Sequence, residues 1–318
     1  MNCYEQKEEL GEALSPDLRP VREGLMTTYV PRHDIDHGVD QEELDYQAER
    51  RKKMVRTLVM EPINADVYLS PIYSGAELGL LLDTEAAKLE TWEAWTTAMQ
   101  YYNAVFAVSE AEKGTQVEYL IDQQAHTLKA PGMLHCADPA TWEKAFYLAV
   151  VCRDNARADA LCHVPVEHLR RAAEGAKVRY NEYTYHWIAA LQAYVNGTDD
   201  LVSELRSAME QSSPRSGAFG GESLDLLVFP KMEVFRRLLM GDSTKFNETL
   251  VFALEGFKSY HTREDAPPGV QGIVPLGLLA WACLAYDKSQ RGDFSLDVES
   301  EYLPKHLVQR SWYGEFPV

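Results

Sequence analysis

Two histidines four residues apart, with two carboxylates between them, make His33-Asp34-Ile35-Asp36-His37 the most metal-like passage of the chain. On a helix, positions i and i+4 share a face, so these side chains could offer one ion a mixed nitrogen and oxygen shell. Pro31 and Gly38 bracket the passage and predict a loop instead, and no second ligand set has matching spacing. No metal and no other cofactor is expected. His186, inside the aromatic run Tyr183, Tyr185, His186 and Trp187, could act as a general base near neutrality if another helix brings a carboxylate or nucleophile. Glu299, Glu301, Lys305 and His306 form a similar acid–base cluster near the C-terminus. Tyr183, His186, Glu299, Glu301 and His306 together define an alternative pocket. Each also has an ordinary reading, as a buried, hydrogen-bonded histidine or a solvated charge cluster. His163 and His168, five apart around Pro165, read as turn and helix surface. No GxSxG, HExxH, P-loop or GxGxxG motif occurs, so no catalytic residue is assigned.

The elements that must position these residues are almost all helical. Residues 41–59 predict a helix carrying Arg50-Arg51-Lys52-Lys53 and Arg56, balanced by Glu42, Glu43, Asp45 and Glu49 at helical spacing. The clearest helix follows Asp83-Thr84, either of which can cap it. Leu89, Trp92, Trp95, Met99, Tyr102 and Phe106 then recur at intervals of three and four, a stripe that reads as core. Asp138-Pro139 opens another helix, with Trp142, Ala145, Phe146, Ala149 and Cys152 on one face. Helical segments follow near 155–174, 181–196, 199–212, 223–240 and 244–262, and residues 272–286 are apolar on all sides. Residues 117–121 and 125–128 read as a hairpin. The Ser/Gly/Pro stretch 213–222 is a loop and a hinge candidate. The expected fold is therefore all-α: a multi-helical array of antiparallel helices, solenoid-like stacking being one option, with at most one small β-hairpin. Residues 1–40 read as an N-terminal arm and 41–318 as a single α-helical domain.

Composition narrows the function classes. The 318 residues are 46% hydrophobic and 25% charged, which excludes wholesale disorder. No apolar stretch reaches 18 residues and the N-terminus lacks a secretory pattern, so a membrane role is not expected. Five cysteines without a CxxC pair fit a reducing cytoplasm better than a disulfide framework. The net charge of −18 opposes nucleic-acid binding and suits a basic protein partner. The excess is uneven: residues 57–137 hold 11 acids against 3 bases.

Several phrases carry a family resemblance. Leu89-Glu90-Thr91-Trp92-Glu93-Ala94-Trp95-Thr96-Thr97-Ala98-Met99-Gln100 resembles the central helix of the immunity protein 49 family. Tyr185-His186-Trp187-Ile188-Ala189-Ala190-Leu191-Gln192, Pro275-Leu276-Gly277-Leu278-Leu279-Ala280 and Ala282-Cys283-Leu284-Ala285-Tyr286-Asp287 are similar to further stretches. So are Val298-Glu299-Ser300-Glu301-Tyr302-Leu303-Pro304-Lys305-His306-Leu307 and the terminal Gly314-Glu315-Phe316-Pro317. The resemblance runs from about residue 84 to 317. It implies a mostly helical cytoplasmic protein of bacterial polymorphic toxin systems that binds and neutralises a cognate toxin domain. It brings no catalytic residues.

An acidic blocker would gain association rate from charge against a basic toxin domain. The expected docking face is the acidic quarter, through Glu85, Glu90, Glu93, Glu110, Glu112, Glu118 and Asp122, since only Lys88, Lys113 and Lys129 lie there to neutralise it. The alternative is a helical enzyme or small-molecule binder using His186, or His33 and His37.

Overall fold

A computed structural model of the chain describes residues 27–266, 270–292 and 294–315. Most of the N-terminal arm, including Cys3, lies outside them. Among the described residues there are twelve α-helices and two small sheets of two strands each.

The first helical layer is α1 (Gln41–Met60), α2 (Asp66–Leu82) and α3 (Leu89–Glu110). Asp40 caps α1 by accepting from the Glu43 amide at 2.9 Å. Asp83 works differently from the simple cap that its position suggests. It accepts from the Ala87 and Lys88 amides at 2.8 and 2.9 Å and from the Thr91 hydroxyl at 2.7 Å, stapling the whole 83–88 connector to the start of α3. From Thr91 to Ser109 every residue of α3 is buried except Glu93 and Ala107. The expected single stripe is thus a helix enclosed nearly all round. Small residues (Ala94, Ala98, Ala104) allow close approach on the second face, and its polar residues find partners. Asn103 donates to the Met99 and Ala145 carbonyls at 2.9 and 3.3 Å, and the Tyr101 and Tyr102 hydroxyls donate to the Ala65 and Leu69 carbonyls.

The hairpin forms as expected, with β2 (Gln116–Ile121) antiparallel to β3 (Gln124–Lys129). Asp122 and Gln123 at its turn both adopt positive φ, 52° and 62°, as a tight two-residue turn requires. The Asp122 amide donates to the buried Gln100 of α3 at 2.8 Å, which fixes the turn against the core.

Asp138 caps α4 (Pro139–Cys152), with Pro139 at its first position. The expected 155–174 segment is two helices, α5 (Asn155–Cys162) and α6 (Val166–Gly175), because Pro165 cannot continue a helix. Next come α7 (Glu182–Asn196) and α8 (Leu201–Gln211), which pack closely together. The 213–222 loop is pinned to the start of α7, since the Asn181 side chain donates to the Phe219 carbonyl and accepts from its amide. A π turn, Leu224–Val228, leads into α9 (Phe229–Met240), followed by α10 (Ser243–His261). The apolar segment turns helical only at Leu276, as α11 (Leu276–Ser289), and is buried on all sides through most of its length.

The second sheet has no hairpin signature. β1 (Thr28–Val30) pairs in parallel with β4 (Val298–Ser300), so Tyr29 stands beside Glu299. A short final helix, α12 (Lys305–Val308), follows. No helix among the described residues is long and apolar enough to cross a membrane. Cys136, Cys152, Cys162 and Cys283 are free thiols, the last three buried.

Candidate functional site

The histidine candidates are held by the fold in different ways. Residues 31–39 form no helix, so His33 and His37 do not share a helical face. The Tyr302 hydroxyl meets both the amide and Nδ1 of His33, at 3.1 and 2.7 Å. His37 Nδ1 is buried without a partner among the described residues. No group of three or more His, Cys, Asp or Glu side chains suited to a metal occurs among the described residues. His186 Nδ1 lies 2.7 Å from Glu204 Oε2, a hydrogen-bonded contact between α7 and α8 with both side chains about one-third exposed. Tyr183 is partly buried on the same helix, and burial raises its phenol. His168, read from sequence as helix surface, is buried, with Ser109 at 3.1 Å and Glu110 at 2.7 Å.

The C-terminal cluster converges with a residue over two hundred positions away. Glu299, Glu301 and Lys305 line a cleft of about 410 Å³, with Tyr29 from β1 and Glu85 from the 83–88 connector. The His306 amide donates to the Glu85 carbonyl at 2.9 Å, tying α12 to the connector. The Arg32 amide donates to Glu301 Oε2 at 3.2 Å. Tyr183, His186 and His306 are not among the residues that line this cleft, so the residues of the alternative pocket fall in separate places: an α7–α8 histidine–carboxylate contact and an acidic cleft shared by β1, β4 and the connector.

The same connector borders a second hollow. A groove of about 440 Å³ runs between α1, α2 and the start of α3, with Asp45, Arg51, Asp83, Lys88, Glu90 and Glu93 among its lining residues. Arg51 Nη2 meets Glu93 Oε2 at 3.3 Å, and Gln123 of the hairpin turn donates to Glu93 Oε1 at 3.2 Å.

The seven expected docking carboxylates therefore divide. Glu93 pairs with Arg51, Glu110 with His168, Glu118 accepts from the Thr127 hydroxyl across the hairpin, and the Asp122 carboxylate accepts from the Thr97 hydroxyl at 3.3 Å. Among the described residues, Glu85, Glu90 and Glu112 are exposed without so close a partner, and Glu110 and Glu118 are exposed as well. The expectation that only Lys88, Lys113 and Lys129 neutralise the acidic quarter is corrected: the Arg51 guanidinium reaches into it from α1 and meets Glu93.

Sequence reading missed a buried polar cluster. Lys231 of α9 contacts Glu143 of α4, which also accepts from Tyr147 at 2.6 Å and from the Trp187 indole at 3.2 Å. Burial alone would raise the Glu143 carboxyl; Lys231 and these donors outweigh it and hold it below the usual range. The cluster ties α4, α7 and α9 together within the core, and its members are too far apart in sequence for spacing to reveal them.

The sequence model of the family described as immunity protein 49 matches residues 83–307, from the connector into α12. No curated protein and no solved structure matches the chain.

Proposed function

The chain belongs to the immunity protein 49 family, and from that premise we propose that it acts in the bacterial cytoplasm by binding and blocking a cognate polymorphic toxin domain. The family match over most of the chain is the observation that carries this reading. Neutralisation by a bound protein needs a rigid, exposed, complementary surface rather than a catalytic constellation. The face around the 83–88 connector fits that need. It carries two adjoining hollows, the exposed carboxylates Glu85, Glu90 and Glu299, and a backbone stapled by Asp83. With a net charge of −18, the partner expected is a basic toxin domain.

Co-expression with a candidate toxin domain, sought among the genes that neighbour this one, tests the reading. The expected result is rescue of growth and co-purification of the two proteins. Cells that die while the protein accumulates folded, with no complex recovered, would refute it.

A further inference from the structure

The groove between α1, α2 and α3 has three features that internal packing does not explain. Its α2 wall carries Gly75 and Gly79, one turn apart inside a helix, where glycine is destabilising relative to alanine. Neither has the positive φ that would require glycine. A Cβ at Gly79 would meet only Thr91, at 3.7 Å, and one at Gly75 only Gln47, at 3.4 Å. Both are ordinary contact distances, so close packing does not require glycine at either position, and the missing side chains widen the groove. The second feature is Arg51, whose side chain is 12% exposed. Its Nη2 serves Glu93, but its Nε is buried with no acceptor among the described residues. An unpaired buried N–H is costly, so an acceptor supplied on binding would stabilise the complex. The third is charge: four carboxylates line the groove against two cations, and Asp45 on α1 and Glu90 on α3 stand exposed on its two rims.

We propose that this groove receives an extended, basic segment of the toxin domain, with its Lys or Arg side chains on Asp45 and Glu90 and a backbone carbonyl on Arg51 Nε. An extended chain presents side chains on alternate sides and unpaired carbonyls along its length, which matches two acidic rims around a single buried donor. The volume lies within the range of about 300–1,000 Å³ usual for ligand-binding clefts, too large for a single side chain. This inference rests on the reading of the protein as a toxin blocker.

The probe is the purified toxin domain against which co-expression shows protection, titrated against the full-length protein. Gly79→Gln fills the groove without changing charge, and Asp45→Lys with Glu90→Lys reverses its rims. Glu210→Lys, at an exposed site on α8, reports the effect of a charge reversal outside the groove. Both groove variants should keep wild-type circular dichroism and weaken binding about tenfold or more, while Glu210→Lys stays within about threefold of wild type. Wild-type affinity in both folded groove variants, with the wild type still binding, would overturn the groove assignment and leave the toxin-blocking reading standing. A wild type that neither binds nor protects against any candidate domain would overturn both.

Discussion

Arg153 Nε lies 3.1 Å from Asp287 Oδ2, joining the end of α4 to α11. Arg153 follows the last residue of α4 in the left-handed region, at φ 58°, which turns its side chain back into the protein. There the guanidinium also donates to the carbonyls of Val151, Cys283, Leu307 and Val308. One side chain thus satisfies the end of α12 and fastens the C-terminal segment, and with it β4 and the acidic cleft, to the central helices.

Arg153→Met should accordingly destabilise the protein by about 3–5 kcal/mol, because it leaves Asp287 and several buried carbonyls unpaired. Asp287→Asn keeps an acceptor oxygen at a partly exposed position and should cost clearly less. Urea denaturation followed by circular dichroism measures both. Equal, small losses would show that the guanidinium is not the fastening.

Phe106→Ala should cost about 3–5 kcal/mol, since the ring is 2% exposed on a helix enclosed nearly all round and its loss leaves a cavity that the neighbours cannot fill. Leu89→Ala, at 37% exposure on the same stripe, should cost far less. Denaturation midpoints that rank the two in the opposite order would contradict the register.

The helices were legible wherever a period was kept, and the reasons for the misses are specific. Residues 66–82 gave no clear amphipathic signal because α2 mixes Pro71, Gly75 and Gly79 into an apolar run. The second face of α3 reads as polar (Thr96, Thr97, Gln100, Asn103), and only tertiary partners make its burial possible. The parallel pairing of Tyr29 with Glu299 is non-local and leaves no local trace. Arg51 was legible in principle: Leu44, Ala48, Arg51, Val55 and Leu58 follow the inward spacing of α1, so one member of the basic run had to point toward the core. Its basic neighbours Arg50, Lys52 and Lys53 mask that position in the sequence.

His33 and His37 should bind no tightly held metal. His33 Nδ1 is committed to Tyr302, and the two residues lie on a segment without regular structure. Elemental analysis of protein purified without added metal should find no stoichiometric zinc. Zinc that disappears on replacing both histidines would contradict this.

A pH effect should come from the stacked rings of His33 and His261, 6.0 Å apart and 7° from parallel. Burial, then the charges of His33 and Arg263, depress His261 to about 4; burial chiefly lowers His33. Unfolded histidine titrates near 6.5. Between about pH 6.5 and 4 the unfolded chain therefore binds more protons, and the stability contributed by the neutral pair is lost as pH falls. His168, lowered by burial, adds to the same window. Glu77, raised to about 7 mainly by burial, acts with the opposite sign, gaining stability as pH falls from 7 toward 4.5. His261→Phe keeps the ring and removes the titration. Its Tm relative to wild type should rise as pH drops from 7.5 to 5; a constant difference would rule the pair out as the source.

Charge steering supplies the last prediction. Replacing every acid of the 57–137 region would confound docking with folding, because Glu110 carries His168 and Glu118 braces the hairpin through Thr127. Glu85 and Glu112 are the informative positions. Both are exposed, and among the described residues the Glu85 carboxylate meets His306 no closer than 4.0 Å. Reversing such surface charges disturbs long-range attraction more than contact, so Glu85→Lys with Glu112→Lys should slow association with a basic toxin domain several-fold in low salt. Dissociation should change little. Near 1 M salt the Debye length shrinks to about 3 Å, and the association rates of variant and wild type should converge. Stopped-flow measurements across a salt series decide it. A folded double variant that associates as fast as wild type at low salt would show that this acidic quarter keeps the protein soluble without guiding its partner.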